Sequence, residues 1–214
     1  KLETTARNVD DINNRIGIYE KQIADGDDTV EPRRHLGELY LRGERFEDAI
    51  ATFEWIAERM GVLDPAIDHY IERANLGIMD REIEGLGGDD AQIQAIEEKK
   101  FAYRLERAEQ RVASYPNDLQ MRYELAMVLF EAGEFDKSLE QFQTAQRNPQ
   151  RRLACMVAMG RCFHSKKQFD MAVEQYQKAT DEMLVMDREK MDAMYYFGLL
   201  YEDMGNVEAA LGCF

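Results

Sequence analysis

The chain has few residues of the kinds that usually carry metal-ion, redox or nucleophilic chemistry. Its 214 residues include three cysteines and three histidines, and no His-Glu-x-x-His, Cys-x-x-Cys or nucleophile-elbow sequence occurs. Cys162 and His164 are two residues apart, and on a helix residues at that spacing point to different faces. The sequence therefore predicts no enzymatic activity, no cofactor and no metal ion.

The cysteines also lack the paired spacing of a disulfide framework. If residues 151 to 165 form one helix, Cys155 and Cys162 lie about 10 Å apart along its axis, which is too far for a disulfide. We expect Cys155, Cys162 and Cys213 to be reduced thiols in the core, which favours a reducing compartment.

Basic residues are outnumbered by acidic ones. Lys and Arg total 27 against 42 Asp and Glu, which gives a formal net charge of −15. This balance argues against nucleic acid as the main ligand, because neutralising phosphates requires a basic surface. The acidic surplus either keeps helix faces soluble or attracts a basic partner.

Long hydrophobic stretches and targeting segments are missing as well. No apolar run approaches the roughly 18 residues of a membrane-spanning helix, so we expect no membrane span. The sequence starts at Lys1 without a signal peptide or a basic targeting segment, which is typical of a fragment of a cytoplasmic protein.

What the sequence does contain is one pattern of apolar and small residues, written twice between residues 119 and 181. The two copies are 34 positions apart. The first copy consists of Leu125, Ala126, Leu129, Gly133, Phe135, Ser138, Phe142 and Ala145. The second copy consists of Met159, Gly160, Phe163, Lys167, Phe169, Ala172, Tyr176 and Ala179. Such a period predicts helical hairpins that bury their apolar faces by stacking on one another.

At these residues the sequence resembles the tetratricopeptide repeat family, in its bacterial type. The resemblance implies an all-α fold, a right-handed α-solenoid of stacked antiparallel helical hairpins. Small residues would let paired helices approach closely while aromatic side chains fill the gaps. The pattern recurs from Leu36 to Phe53, where its turn glycine, Gly43, stands one position early, and again from Phe197 to Phe214.

The repeats divide the chain into six segments. These are a lone amphipathic helix (1–28), a repeat (29–62), an elongated degenerate hairpin (63–117), two clear repeats (118–150 and 151–184), and a repeat truncated in its second helix (185–214). Asp64-Pro65 predicts a helix start, because Asp caps a helix and Pro is tolerated in its first turn. The elongated hairpin is either a projecting binding element or a variable repeat without a special task.

In this family the first helices of successive hairpins line a concave groove. Carried over to this sequence, the resemblance implies a set of partner-binding residues: Arg34, Glu38, Leu41, Tyr123, Met127, Phe130, Val157, Arg161, His164, Tyr195, Leu199 and Glu202. The Lys and Asn residues with which some members hold a terminal carboxylate are absent. The apolar members of the set either anchor an extended or helical segment or pack against neighbouring helices.

Two further features allow more than one interpretation. Trp55 lies off the apolar stripe of its helix and is either a surface anchor or, as we favour, a filler against the next helix. Arg147, Arg151 and Arg152 form a basic turn that either holds an acidic group of a partner or only provides capping and solubility.

The resemblance implies a non-catalytic scaffold that binds a protein or peptide of neutral or basic character through apolar anchors. Self-association through open solenoid ends near Ile12 and Phe214 is one alternative. A regulatory segment whose effector domain lies outside this chain is another.

Overall fold

The computed structural model describes residues 2–61 and 64–214. These residues form eleven α-helices and contain no β-strand, which confirms the predicted all-α class. The helices are α1 (Leu2–Ala24), α2 (Val30–Arg42), α3 (Phe46–Met60), α4 (Pro65–Gly85), α5 (Asp90–Ser114), α6 (Leu119–Glu131), α7 (Phe135–Ala145), α8 (Arg152–Ser165), α9 (Phe169–Glu182), α10 (Arg188–Asp203) and α11 (Val207–Cys213). None of them, over the residues described, combines the length and apolarity needed to cross a membrane.

The chain divides into two compact units, Lys1–Tyr103 and Arg104–Phe214. The division falls inside α5, which the sequence analysis had placed in one elongated hairpin (63–117). The first part of α5 therefore belongs to unit 1 and the remainder to unit 2.

In unit 1, α1 packs on α2, α2 on α3, and α3 on α4. Their apolar stripes meet in one core that contains Ile16, Leu36, Phe53 and Ile67. The ring of Phe53 stacks on that of Tyr70, with 4.6 Å between ring centroids. Stacked helices thus bury the stripes that the three- and four-residue periodicity predicts.

Unit 2 contains three helical hairpins, α6–α7, α8–α9 and α10–α11. The second helix of each of the first two hairpins packs on the first helix of the next, and α8 also contacts α6 and α10. Phe142 and Tyr176 are fully buried where the hairpins meet. The two clear repeats of the sequence therefore form two stacked antiparallel hairpins, as predicted.

The helix starts follow from capping residues. The carboxylate of Asp64 accepts a hydrogen bond from the backbone N–H of Ala66 at 2.8 Å, which confirms the predicted start of α4. Asp118 caps α6 in the same way, accepting from Gln120 at 2.8 Å and from Met121 at 3.1 Å.

Four hairpin turns each place one residue in the left-handed region of backbone space. These residues are Glu44 (φ 57°), Gly133 (φ 74°), Lys167 (φ 59°) and Gly205 (φ 74°). Gly43, by contrast, has φ −90°. The glycine that stands one position early in the sequence is therefore not the left-handed residue, and Glu44 takes that conformation instead.

Candidate functional site

A depression of about 220 Å³ lies on unit 2 and is formed mainly by α6, α8 and α10. We call it the α6–α8–α10 groove. It is lined by Tyr123, Met127, Arg151, Ala154, Val157, Ala158, Arg161, Met183, Glu189, Asp192 and Ala193. Because α6, α8 and α10 are the first helices of successive hairpins, residues spaced three or four apart on each helix reach the same surface.

The apolar part of the groove comes from α6 and α8. Tyr123, Met127 and Val157 are all half-buried, so each presents part of its side chain to the depression. The ring of Tyr123 packs edge-on against Phe142, with 5.8 Å between centroids. Burial raises the pKa of Tyr123, which keeps the hydroxyl protonated and able to donate a hydrogen bond.

Arg161 is held between two aromatic rings beside this apolar part. Its guanidinium carbon lies 4.5 Å from the ring centroid of Phe130 and 4.4 Å from that of Tyr196. These are cation–π distances, and two such contacts restrict the position of the guanidinium. The rings belong to α6 and α10, so Arg161 of α8 connects all three walls.

Arg151 stands at the other side of Tyr123. Its Nε donates to Oε1 of Gln120 at 2.7 Å, and its guanidinium lies 5.1 Å from the centre of the Tyr123 ring. Arg152 points elsewhere and donates from Nη2 to Oε1 of Glu182 at 2.6 Å. The predicted basic turn is thus largely occupied by contacts within the chain, although Arg151 does line the groove.

Family models of the tetratricopeptide repeat match residues 104–152 and 153–182. Residues 104–182 thus consist of tetratricopeptide repeats. The two matches cover the hairpins α6–α7 and α8–α9, whose first helices carry Tyr123, Met127 and Arg161.

Solved structures with the same fold include other tetratricopeptide repeat proteins. MamA (residues 41 to the end) from Desulfovibrio magneticus RS-1 is 17% identical with a TM-score of 0.60, over 88% of this chain and 92% of that chain. YrrB, described as a tetratricopeptide repeat protein with an unusual peptide-binding site, is 18% identical with a TM-score of 0.52, over 91% of this chain and 88% of that chain. These likenesses establish the fold. A comparison with curated protein sequences finds no match.

Tyr195 does not line the groove, contrary to the prediction from the repeat pattern. It is 53% exposed and lines a second depression of about 520 Å³ together with Met191 and Phe214. One residue along a helix is a rotation of about 100°. Tyr196, which the sequence analysis missed, therefore faces Arg161 in its place.

The other predicted residues at the end of α8 and on α10 also lie outside the groove. Nε2 of His164 and Oδ2 of Asp203 are 2.8 Å apart, and both residues line a separate depression of about 620 Å³. Leu199 is half-buried and Glu202 is exposed, and neither contributes to the groove.

The predicted residues Arg34, Glu38 and Leu41 belong to unit 1. Glu38 and Leu41 line a small depression of about 130 Å³ with Tyr70, but Leu41 is only 4% exposed and offers little surface to a partner. The Tyr70 hydroxyl donates to Oε1 of Glu38 at 2.9 Å, and burial together with this bond raises the pKa of Tyr70. Arg34 is half-buried.

Trp55 is half-buried against the core of unit 1. The guanidinium groups of Arg33 and Arg59 lie 4.1 and 5.2 Å from the centre of its ring. Trp55 is thus covered by arginines of its own helix and of the preceding helix, whereas the sequence interpretation placed it against the next helix.

The thiols have the environment of core residues. Cys155 and Cys162 are fully buried, and burial raises the pKa of Cys155 to about 12 and also raises that of Cys162. At neutral pH both are therefore thiols rather than nucleophilic thiolates. Over the described ranges, no three His, Cys, Asp or Glu side chains are grouped so that they could hold a metal ion.

Proposed function

We propose that the chain is a non-catalytic scaffold that binds a peptide segment or helix of another protein in the α6–α8–α10 groove. The observation that carries the proposal is the groove itself, in which Tyr123, Met127 and Val157 leave part of their apolar surface accessible beside charged groups. Concave surfaces with apolar lining and a few polar groups are the usual sites of ligand binding. Rigid aromatic and adaptable Met side chains bury much area at low ordering cost.

The size of the groove supports a side-chain anchor. Its volume of about 220 Å³ corresponds to about seven waters at ~30 Å³ each, which is comparable to one large apolar side chain. A peptide would place such a side chain against Tyr123 and Val157 and extend along the neighbouring helices. The peptide-binding site ascribed to YrrB makes this use of the fold reasonable.

A matched pair of substitutions tests the proposal. Val157→Arg places a long charged side chain in the groove, whereas Val207→Arg makes the same change at a position that is 67% exposed on α11. Peptides are first selected on the unaltered protein from a random library displayed on phage. We expect Val157→Arg to weaken their binding by at least roughly tenfold, about 1.4 kcal/mol, while Val207→Arg leaves it nearly unchanged.

Circular dichroism of both variants serves as the folding control. Selected peptides that bind Val157→Arg as well as the unaltered protein would show that the groove is not the binding site. Loss of binding by Val207→Arg alone would instead place the site on α11.

A second candidate function is self-association, and a specific surface favours it. Unit 2 exposes a group of large apolar side chains on and between α9, α10 and α11: Leu184 (92%), Val185 (68%), Met186 (61%), Met191 (60%), Tyr195 (53%), Leu211 (72%) and Phe214 (60%). Four of them, Met186, Met191, Tyr195 and Phe214, line one depression, and exposed apolar surface of this kind is typical of protein interfaces. Ile12, at the other predicted contact, packs against the core of unit 1.

Sedimentation equilibrium at increasing protein concentration distinguishes the two functions. If α10 and α11 form an interface between copies, the average mass rises with concentration and Leu211→Lys abolishes the rise. A constant monomer mass would exclude self-association and leave peptide binding as the function.

A further inference from the structure

The α6–α8–α10 groove contains charges of both signs that form no ion pair with the residues that the structure describes. Within the described part of the chain, no carboxylate or carbonyl accepts a hydrogen bond from Arg161, and no cation pairs with Glu189 or Asp192. Elsewhere in unit 2 such groups do pair, as Arg152 does with Glu182. Unpaired charges that meet in one depression indicate what the depression can bind.

Arg161 is positioned to bind an anion. Phe130 and Tyr196 contact its guanidinium at 4.5 and 4.4 Å, and aromatic rings accept no conventional hydrogen bond, so its N–H groups remain available as donors. A planar guanidinium matches the two oxygens of a carboxylate. Because the two contacts already restrict the side chain, little further entropy is lost when the carboxylate binds.

The opposite charge comes from the first turns of α10. Glu189 and Asp192 are three residues apart, so they lie on one face of the helix, and both line the groove. Both are exposed. They can therefore receive an ammonium or guanidinium group without a change in the fold.

The separation of the two charges matches a short extended segment. Arg161 is on α8 and the two acids are on α10, and these helices are in contact. The axes of packed helices are about 8–10 Å apart, and an extended chain advances about 3.3 Å per residue. Asp192 also lies one turn before Tyr196, which contacts Arg161, so the charges are separated along α10 as well as across the helices. Alternate side chains of an extended chain point to the same side, so an acidic, an apolar and a basic residue at every second position would all face the groove, with the apolar residue above Tyr123 and Val157.

We infer that the groove recognises an extended peptide segment in which an acidic, an apolar and a basic residue occupy every second position. This inference rests on the proposed function and adds the chemistry of the partner. It also changes the expectation from composition, because a net charge of −15 by itself favours a neutral or basic partner, whereas Arg161 favours an acidic group.

A set of synthetic peptides tests the charge requirement. Each has one central Leu in a Gly/Ser background. The positions two residues before and two residues after Leu carry an acidic and a basic residue (in both orders), two acidic residues, two basic residues, or uncharged Ser. Fluorescence anisotropy measures their affinity for the full chain. We expect a mixed-charge peptide to bind roughly tenfold more tightly than any of the single-sign or uncharged peptides, and the preference to weaken as salt is added.

Charge reversal tests whether Arg161 and Asp192 determine which peptide charges the groove prefers. Arg161→Glu should weaken binding of the mixed-charge peptide by at least roughly tenfold and strengthen binding of the peptide with two basic residues. Asp192→Lys, at an exposed position, should strengthen binding of the peptide with two acidic residues. A change of preference is a result that loss of packing around Arg161 cannot produce, so equal weakening of all peptides by Arg161→Glu would overturn the inference.

The outcome also separates this inference from the proposed function. Phage-selected peptides that depend on Val157 but carry no mixed-charge pattern would uphold the groove as a binding site and overturn the charge rule. If no peptide from either set binds, both the function and the charge rule are wrong.

Discussion

A Cβ atom added to Gly160 would lie 2.9 Å from Cε1 of Tyr176, which is closer than side chains normally approach. The ring of Tyr176 is completely buried and lies where α8 and α9 meet. The same relationship joins Gly37 to Phe53 at 2.7 Å, and in each pair the aromatic residue follows the glycine by sixteen positions. Small residues in this family pattern therefore set the distance between the paired helices.

Gly160→Ala should lower the free energy of unfolding by about 1–3 kcal/mol, because the buried ring of Tyr176 has no room to move. Gly212→Ala is the matched control, since a Cβ there meets nothing within 4 Å. The control should be neutral or stabilising by up to about 1 kcal/mol, because Ala is the better helix former. Urea unfolding followed by circular dichroism measures both, and equal effects of the two substitutions would contradict the packing argument.

Tyr176→Phe should leave the stability unchanged or raise it by about 1 kcal/mol. The Tyr176 hydroxyl is buried and has no hydrogen-bond partner among the residues described, so it is desolvated without compensation. Tyr70→Phe removes a hydroxyl that donates to Glu38 and should instead cost about 0.5–1.5 kcal/mol. The comparison is made by thermal unfolding, and a larger loss for Tyr176→Phe would mean that its hydroxyl is satisfied.

Lys167→Gly should stabilise the chain by about 1 kcal/mol. Lys167 has φ 59° at the turn between α8 and α9, and this left-handed conformation costs a residue with a Cβ about 1–2 kcal/mol. Gly133 has φ 74° at the equivalent turn, so Gly133→Ala should be destabilising by a similar amount. If chemical denaturation showed both changes to act in the same direction, the turn argument would fail.

The stability of unit 2 should fall above about pH 9. Burial raises the pKa of Cys155 from its ordinary value of 9.0 to about 12. Below pH 9 the thiol is neutral in both the folded and the unfolded chain, so it does not make the free energy of unfolding depend on pH there. Between pH 9 and 12 it ionises only in the unfolded chain, and stability is lost by up to about 1.4 kcal/mol per pH unit. Cys155→Ala should show a shallower decline over this range, and identical slopes would refute the assignment.

Alkylation should distinguish the three thiols. Cys155 and Cys162 are fully buried, while Cys213 is half-buried. Because reaction requires an accessible thiolate, iodoacetamide should modify Cys213 first and the other two only after local unfolding. Peptide mapping by mass spectrometry gives the order, and early modification of Cys162 would contradict the burial.

Part of the candidate site could be predicted from the repeat pattern. Tyr123, Met127 and Arg161 were expected on the inner face of the first helices, and all three lie at or in the groove. Tyr195 was chosen in place of Tyr196, because two adjacent tyrosines differ only by one step of helical rotation. A single sequence does not show which of the two faces a neighbouring helix.

The elongated hairpin shows a second limit of the sequence pattern. Gly77 lies against Phe46, whose ring would be 2.5 Å from an added Cβ. Phe46 precedes Gly77 by 31 positions, whereas Tyr176 follows Gly160 and Phe53 follows Gly37. No spacing learned from the clear repeats predicts this contact.

The sequence by itself determined the helices, their caps and their pairing into hairpins, because these depend on residues that are close along the chain and share one periodicity. The tertiary structure alone decided that Phe130 and Tyr196 enclose Arg161 and that Arg161, Glu189 and Asp192 meet in one groove. Those contacts join different helices, and their geometry depends on how closely and at what rotation the helices pack.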